Sequence, residues 1–352
     1  MMGLISVSCN AEDLRPSPPA ERPAHPRPGV LETEMRPSAW LPRFFALRDG
    51  PCPLTSAHME RFAGKHLVIF GCGYIGTAVA RATTAHGATV TALTRNSDTA
   101  AGLRAEGIAA VVSDLVGGDW QARIRRAPDF VLNCVSSGGG GIEAYRHSYV
   151  GGMASIVEWA KRVGPVGTMV YTSSTSVYPQ GGGAMVNEMS STVGGGERAQ
   201  ILLQAEALMA DAANAWRSRF ILRLAGIYGP GRHALLEQVR AGEVTGTGEV
   251  RLNLIHRDDA VAAILACFTA SDDVSGEIFN VADDAPAPKS DVVAWLAAQL
   301  SVAVPHFTGE AGTGRRGLTP DRVITNAKIK SKLGWQPAYP TFREGYGSFL
   351  SR

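Results

Sequence analysis

The stretch VIFGCGYIG, residues 68–76, decides the fold. Three apolar residues typical of a buried strand lead directly into glycines spaced G-x-G-x-x-G, and the TAVAR that follows (residues 77–81) has helical character. A lone glycine pattern of this kind is common by chance, but one placed between a strand and a helix is specific for dinucleotide binding. The alternative interpretation is an ordinary glycine-rich turn from strand to helix.

Each residue of this loop has a distinct physical role in such a site. Gly71 permits a tight turn, Gly73 lets the backbone approach a pyrophosphate, and Gly76 lets the helix pack closely on the strand. Tyr74 and Ile75 begin the helix, whose free N–H groups and positive dipole end attract phosphates. We therefore expect these five residues to bind the pyrophosphate of a cofactor.

The segment after the second predicted strand indicates which dinucleotide is bound. An NAD-selective site usually places a carboxylate about 20 residues after the glycines, where it binds the ribose 2′-hydroxyl. Here that position holds Thr94-Arg95-Asn96, and the Arg95 guanidinium would attract a 2′-phosphate. NADP is therefore favoured and NAD is the alternative, unless Arg95 is simply a solvated surface residue. Asp114 and Leu115, after the third predicted strand, are expected beside the adenine, and Asn133 is expected at the cofactor from the fourth.

Composition excludes several functional classes. The 352 residues carry 34 Lys and Arg against 32 Asp and Glu, with 45% hydrophobic residues, which indicates a soluble enzyme-like protein rather than a nucleic-acid binder. No apolar run approaches the roughly 18 residues that span a membrane. The five cysteines are scattered and odd in number, which predicts reduced thiols in a cytoplasmic protein. No group of residues has metal-ligand spacing.

The pattern from Lys65 onward alternates apolar strands with helical stretches. Such alternation predicts an α/β fold, a Rossmann-like doubly wound parallel sheet with a smaller C-terminal substrate lobe. Strands are predicted at Leu67–Phe70, Thr89–Leu93, Val111–Ser113, Phe130–Val135, Thr168–Thr172, Phe220–Leu224 and Glu277–Val281, and helices at Gly152–Val163, Ala199–Ala215 and Asp291–Leu300.

The domain organisation follows from the same pattern. Residues 1–58 hold half of all the prolines and are predicted to be a disordered extension. Residues 63–232 are assigned to an NAD(P)-binding Rossmann domain and residues 233–352 to the substrate lobe. Segments near 254–268 and 277–282 are expected to return to the Rossmann domain.

Four further motifs follow the glycine loop in a characteristic order. They are YTSSTSVY (171–178), RLAGIYGPG (223–231), LIHRDDAV (254–261) and KLGWQP (332–337). With the glycine loop, they make the chain from about Lys65 onward resemble the extended short-chain dehydrogenase/reductases, the superfamily of NAD-dependent epimerases and dehydratases. The resemblance implies a small-molecule substrate such as a sugar or sugar nucleotide, and a homodimer.

One departure from the family pattern concerns catalysis. The resemblance implies a tyrosine and a lysine spaced Y-x-x-x-K on the helix after the serine segment, where the tyrosine exchanges a proton with the substrate. In this chain Arg198 and Leu202 stand at those two positions, and Tyr149 stands where family members often carry an asparagine on the preceding helix. The chain therefore resembles the atypical branch of the superfamily, which lacks the dyad.

Ser174 and Tyr178 are the candidate catalytic residues. Ser174 occupies the position of the family's catalytic Ser/Thr, although a serine there can equally satisfy backbone groups at the end of a strand. Tyr178 and Tyr149 have phenols of suitable acidity, or are packed aromatics, and Arg198 could orient an anionic substrate. We predict an NAD(P)-dependent oxidoreductase or epimerase-like enzyme with a non-standard acid/base group. The alternative is a non-catalytic NADP-binding or redox-sensing protein.

Overall fold

A parallel sheet of seven strands lies at the centre of the computed structural model, which describes residues 56–309 and 320–350. The strands are β1 (His66–Phe70), β2 (Thr89–Thr94), β3 (Ala109–Val112), β4 (Phe130–Asn133), β5 (Val166–Ser174), β6 (Trp216–Leu224) and β7 (Ile278–Val281). Their spatial order is β3-β2-β1-β4-β5-β6-β7, and every neighbouring pair is parallel. The predicted Rossmann-like doubly wound α/β fold is thereby confirmed.

Helices cover both faces of this sheet. The longer ones are α1 (Tyr74–Thr84), α2 (Ser97–Ala105), α3 (Gly152–Val163), α4 (Glu197–Asp211), α5 (Ala234–Ala241), α6 (Arg257–Phe268), α7 (Lys289–Leu300), α8 (Ala327–Leu333) and α9 (Phe342–Leu350). Short helical turns occur at Ser56–Glu60, Trp120–Arg123, Gly141–Arg146, Thr175–Val177, Ala213–Ala215 and Asp272–Val274, and a π-helix at His147–Gly151.

Four two-stranded pairs lie outside the main sheet among the described residues. Ala184–Val186 pairs with Arg322–Ile324, Gly226–Tyr228 with Leu254–His256, Arg251–Leu252 with Ala287–Pro288, and Glu243–Val244 with His306–Phe307. Only the second of these includes residues of the LIHRDDAV motif, which then enters α6.

The seven predicted strands of the main sheet are all present, but several boundaries move. Strand β3 begins and ends earlier than predicted, β4 stops at Asn133, and β5 and β6 both begin earlier. The predicted disordered extension lies outside the described residues up to residue 55. Residues 56–58, which the sequence assigned to that extension, instead begin the helix Ser56–Glu60, and Met59 is buried. The domain boundary at residue 232 stays a prediction.

Two apolar cores fill the space between the sheet and its helices. On one face α1 and α6 pack against aromatic residues that include Phe62, Phe130 and Phe268. On the other face α3 and α4 pack around Phe70 and Trp159. A separate apolar cluster joins α5, α7 and α9 after the main Rossmann elements. The sheet therefore presents the carboxyl ends of its strands as a rigid edge, where ligands of doubly wound proteins bind.

Candidate functional site

The glycine loop between β1 and α1 has the backbone conformation that its glycines predict. Gly71 has a φ of +88°, and a Cβ there would lie 2.6 Å from the backbone of Val135. A Cβ on Gly76 would lie 2.7 Å from the Gly71 carbonyl oxygen. A side chain at Gly71 would therefore displace the segment after β4, and one at Gly76 would force α1 away from the end of β1.

Gly73, by contrast, borders open space. Among the described residues nothing lies within 4 Å of a Cβ built on Gly73, which immediately precedes α1. The amides of Tyr74 and Ile75 belong to the first turn of α1, where backbone N–H groups lack intrahelical partners. An open backbone position beside a helix N-terminus fits a pyrophosphate. The five predicted loop residues thus lie together around this open position at Gly73.

The end of β4 is fastened to this loop. Asn133 is buried, and its Oδ1 accepts the Val135 N–H at 3.3 Å. Cys134 Sγ donates to the Gly71 carbonyl oxygen at 3.1 Å. Burial raises the pKa of Cys72 to about 11 and that of Cys134 well above its ordinary value, so both thiols are neutral packing groups.

Arg95 and Asp114, which the sequence placed separately in the cofactor site, face each other. Arg95 follows β2, and its Nη1 lies 3.6 Å from Asp114 Oδ2. Asp114 Oδ1 accepts the Val116 N–H at 2.8 Å and contacts His147 Nε2 at 3.1 Å. Burial acts to raise the pKa of Asp114, but these three partners outweigh it and hold the pKa below its ordinary value. The sequence carried no spacing signal for His147, which lies 33 residues away.

Leu115 lies against the start of α3. Its side chain is buried, and a Cβ on Gly152 would approach Leu115 Cδ1 to 3.1 Å. A Cβ on Gly151 would similarly approach Val116 Cγ2 to 2.9 Å. The two glycines therefore let the π-helix and α3 pack directly on the segment after β3, where the adenine is expected.

Ser174 is the last residue of β5 and is half-buried. Its Oγ accepts the Ser176 N–H at 3.1 Å and so caps the short turn Thr175–Val177. This bond uses the hydroxyl as an acceptor and leaves its hydrogen able to donate. Ser174 can therefore satisfy the backbone and polarise a substrate oxygen at the same time.

The Tyr178 hydroxyl is enclosed by side chains near the ends of β6 and β7. Tyr178 is 1% exposed, its hydroxyl donates to Asn280 Oδ1 at 2.9 Å, and it accepts from Arg223 Nη1 at 2.8 Å. Burial raises the pKa of Tyr178 despite the nearby Arg223. A phenol held in this way fits the packed-aromatic alternative better than a catalytic acid.

The positions of the family's tyrosine and lysine lie at the start of α4. Arg198 is exposed, and its Cζ lies 5.5 Å from the ring centroid of Tyr145. The Tyr145 and Tyr149 rings are 4.4 Å apart between centroids. Leu202 is 1% exposed and belongs to the core. Sequence reasoning missed Tyr145, although its spacing of four residues from Tyr149 is a sign that both face the same way on a helix.

Residues 56–309 and 320–350 contain no cluster of three or more His, Cys, Asp or Glu side chains that could hold a metal ion. None of the helices in these ranges has both the length and the apolar character needed to cross a bilayer.

A known family accounts for this combination of fold and glycine loop. The sequence model of the NAD dependent epimerase/dehydratase family matches residues 67–282. The chain belongs to that family. The match begins in β1 and extends past β7, so it covers the whole central sheet.

The curated relatives that this epimerase/dehydratase family member matches are distant in sequence. It is 29% identical over 172 residues to Protein YeeZ of Escherichia coli (strain K12), a match that covers 49% of this chain and 58% of YeeZ. The chain thus spans less than two thirds of that relative. It is 26% identical over 217 residues to the 3-diazoavenalumate denitrifying reductase of Streptomyces sp, covering 56% of this chain and 69% of the reductase.

Solved structures extend the similarity over more of the chain. A functionally unknown conserved protein from Silicibacter pomeroyi is 25% identical with a TM-score of 0.64, covering 82% of this chain and 98% of that protein. The UDP-glucuronic acid 4-epimerase from Bacillus cereus, solved in complex with NAD, is 17% identical with a TM-score of 0.68, covering 81% and 97%. The second similarity shows a shared fold.

Proposed function

We propose that this chain is an NAD(P)-dependent oxidoreductase that acts on a small molecule and uses an acid/base group other than the family's tyrosine and lysine. The observation that carries the proposal is the open backbone position at Gly73, directly before the first turn of α1. A dinucleotide held there would supply hydride chemistry at its nicotinamide. The chain's own residues would bind its phosphates and orient the substrate.

The cofactor is proposed to be NADP, with NAD as the alternative. Arg95 lies directly after β2, and the segment Thr94-Arg95-Asn96 offers a cation and no carboxylate at the expected ribose position. A guanidinium forms strong charge-assisted hydrogen bonds with phosphate. The NAD in the Bacillus cereus epimerase keeps the alternative open, since that neighbour shares the fold.

Ser174 is proposed to act on the substrate, and Tyr178 is not. An epimerase must take a hydroxyl proton from its substrate and return it, which requires a dedicated base. A reductase needs a donor that polarises the acceptor oxygen, which the Ser174 hydroxyl can provide, and a proton for the alkoxide that hydride transfer would leave. The similarity to a Streptomyces reductase supports this direction. Tyr149, whose ring lies against that of Tyr145, is the remaining candidate for a proton donor.

The substrate is proposed to be a sugar or sugar nucleotide, which the family and the substrate named for the Bacillus cereus epimerase support. A non-catalytic NADP-binding or redox-sensing protein is the second candidate function, and the observation in its favour is Leu202. Leu202 is buried at the position where the family has a lysine. It has no charged group that could bind the ribose of a nicotinamide cofactor.

Calorimetric titration of the full chain with NADPH and, separately, with NADH tests the proposal. We expect both to bind and NADPH to bind more tightly. Oxidation of NADPH would then be followed by absorbance in the presence of sugar nucleotides and of small carbonyl compounds. Binding without turnover would favour the non-catalytic alternative, and binding of neither dinucleotide would overturn the proposed function.

A further inference from the structure

A chain of three polar side chains joins three separate elements at the ribose end of the proposed cofactor site. Arg95 follows β2, Asp114 follows β3, and His147 begins the π-helix before α3. Asp114 lies between the other two, 3.6 Å from Arg95 Nη1 and 3.1 Å from His147 Nε2. All three side chains are between 37% and 50% exposed, so a ligand can reach them.

The contacts of Asp114 differ between its two oxygens. Oδ1 has two close partners, the Val116 N–H at 2.8 Å and His147 Nε2 at 3.1 Å. Oδ2 faces Arg95 at 3.6 Å, which is longer than a hydrogen bond. The carboxylate is therefore held by Oδ1 and attracts the Arg95 guanidinium without forming a direct hydrogen bond with it.

We propose that His147 is a positioning residue for dinucleotide selection, an inference that rests on the proposed function. By holding Oδ1 together with the Val116 N–H, His147 helps to keep Asp114 from turning to form a two-point ion pair with Arg95. The N–H groups of Arg95 then stay available for a 2′-phosphate, which binds guanidinium in the same two-point manner. His147 thus favours NADP over NAD through Asp114, without contacting the phosphate itself.

The surrounding backbone fixes this arrangement from two sides. A Cβ on Gly138 would lie 3.3 Å from Arg95 Nη2, so the loop after β4 passes close to the guanidinium. The π-helix that begins at His147 ends at Gly151, which packs near Val116. Because π-helical turns are rare and frequently occur at functional sites, the placement of His147 is unlike that of an ordinary surface histidine.

The test compares dissociation constants for NADPH and NADH in the full chain. His147→Leu removes one of the two contacts to Oδ1, and we expect it to weaken NADPH binding by roughly two- to fivefold, the effect expected of a half-exposed polar contact, while NADH binding is unchanged. His147→Gln, whose amide can still donate to Asp114, should retain most of the preference for NADPH.

A second background separates positioning from a structural role. In Asp114→Asn the competing charge is gone, so adding His147→Leu should leave the ratio of the two dissociation constants unchanged. An unchanged ratio of the two dissociation constants in His147→Leu, with or without an equal loss of affinity for both dinucleotides, would overturn the inference. Failure of the unmodified protein to bind either dinucleotide would instead overturn the proposed function.

Discussion

Glu206 and Arg223 form a buried two-point ion pair that ties α4 to β6. Arg223 Nη2 donates to Glu206 Oε2 at 2.7 Å and its Nε donates to Oε1 at 3.1 Å, with the side chains 6% and 5% exposed. Ser173 Oγ also donates to Glu206 Oε1, at 2.6 Å. The arginine of the RLAGIYGPG motif therefore holds α4 against the sheet.

Glu206→Gln should destabilise the protein strongly. The substitution leaves the Arg223 guanidinium buried without a compensating charge, which typically costs about 3–5 kcal/mol of the free energy of unfolding. Urea denaturation would measure this loss. Glu197→Gln is the matched control, because its pair with Arg146 is exposed and is worth about 0–1 kcal/mol. Similar losses in both variants would contradict the role given to the buried pair.

Tyr178→Phe should affect stability and leave catalysis intact. Removing the hydroxyl leaves Arg223 Nη1 and Asn280 Oδ1 without this buried partner, at a cost of about 1–3 kcal/mol. Because the phenol is buried and its hydroxyl already bonds Arg223 and Asn280, kcat/KM for any substrate should change by less than about twofold. A fall of a hundredfold or more in kcat would instead identify Tyr178 as a catalytic acid.

Ser174→Ala should instead lower activity. Loss of a hydroxyl that polarises a substrate oxygen is expected to lower kcat by about 10²- to 10³-fold, the range seen for single oxyanion donors. The dissociation constant for the dinucleotide should be unchanged. Ser176→Ala removes a neighbouring exposed hydroxyl but keeps the N–H that Ser174 accepts, so it serves as the control. Equal activities of the two variants would leave Ser174 a purely structural cap.

Gly73→Asp should abolish dinucleotide binding without unfolding the protein. Gly73 borders open space and does not have a positive φ, so a side chain fits the folded protein but places a carboxylate against the pyrophosphate. Gly102→Asp, at an open and exposed position in α2, controls for the added charge. Calorimetry and thermal denaturation would be measured together. Unchanged NADPH affinity in Gly73→Asp would refute the placement of the pyrophosphate.

The sequence predicted most of what depends on local pattern. Positions 71 and 76 must be glycine because a Cβ there would clash with nearby backbone atoms. The short-range spacing of the motif is enough to predict this requirement. The doubly wound parallel sheet followed from the alternation of strands and helices. The ends of strands were less accurate, because β5 continues to Ser174 through polar residues that pair with β6. Pairing between strands, rather than apolar character, determines where they stop.

Contacts between distant residues could not be predicted from these patterns. Tyr178 matched a family motif, but its burial depends on Asn280, which lies 102 residues further along the chain. His147 is likewise brought to Asp114 only by the packing of α3 against the loop after β3. Local sequence encodes which residues can carry chemistry, and the tertiary fold decides which of them face a ligand.

Asp283→Asn should flatten the dependence of stability on pH. Burial raises the pKa of Asp283 from its ordinary value of 3.8 to about 8, and Oδ1 has no hydrogen-bond partner in the described part of the chain. Because the folded state binds this proton more tightly than the unfolded state does, its contribution to stability is complete below about pH 4 and is lost as the pH rises toward 8. An asparagine amide does not titrate between about pH 4 and pH 8, so its contribution to stability does not change over that range. We therefore expect the variant to have a higher Tm than the parent at pH 8 and a similar Tm at pH 4, whereas Asp273→Asn, at an exposed position, should track the parent. Parallel Tm profiles for parent and Asp283→Asn would show that folding does not raise the pKa of Asp283.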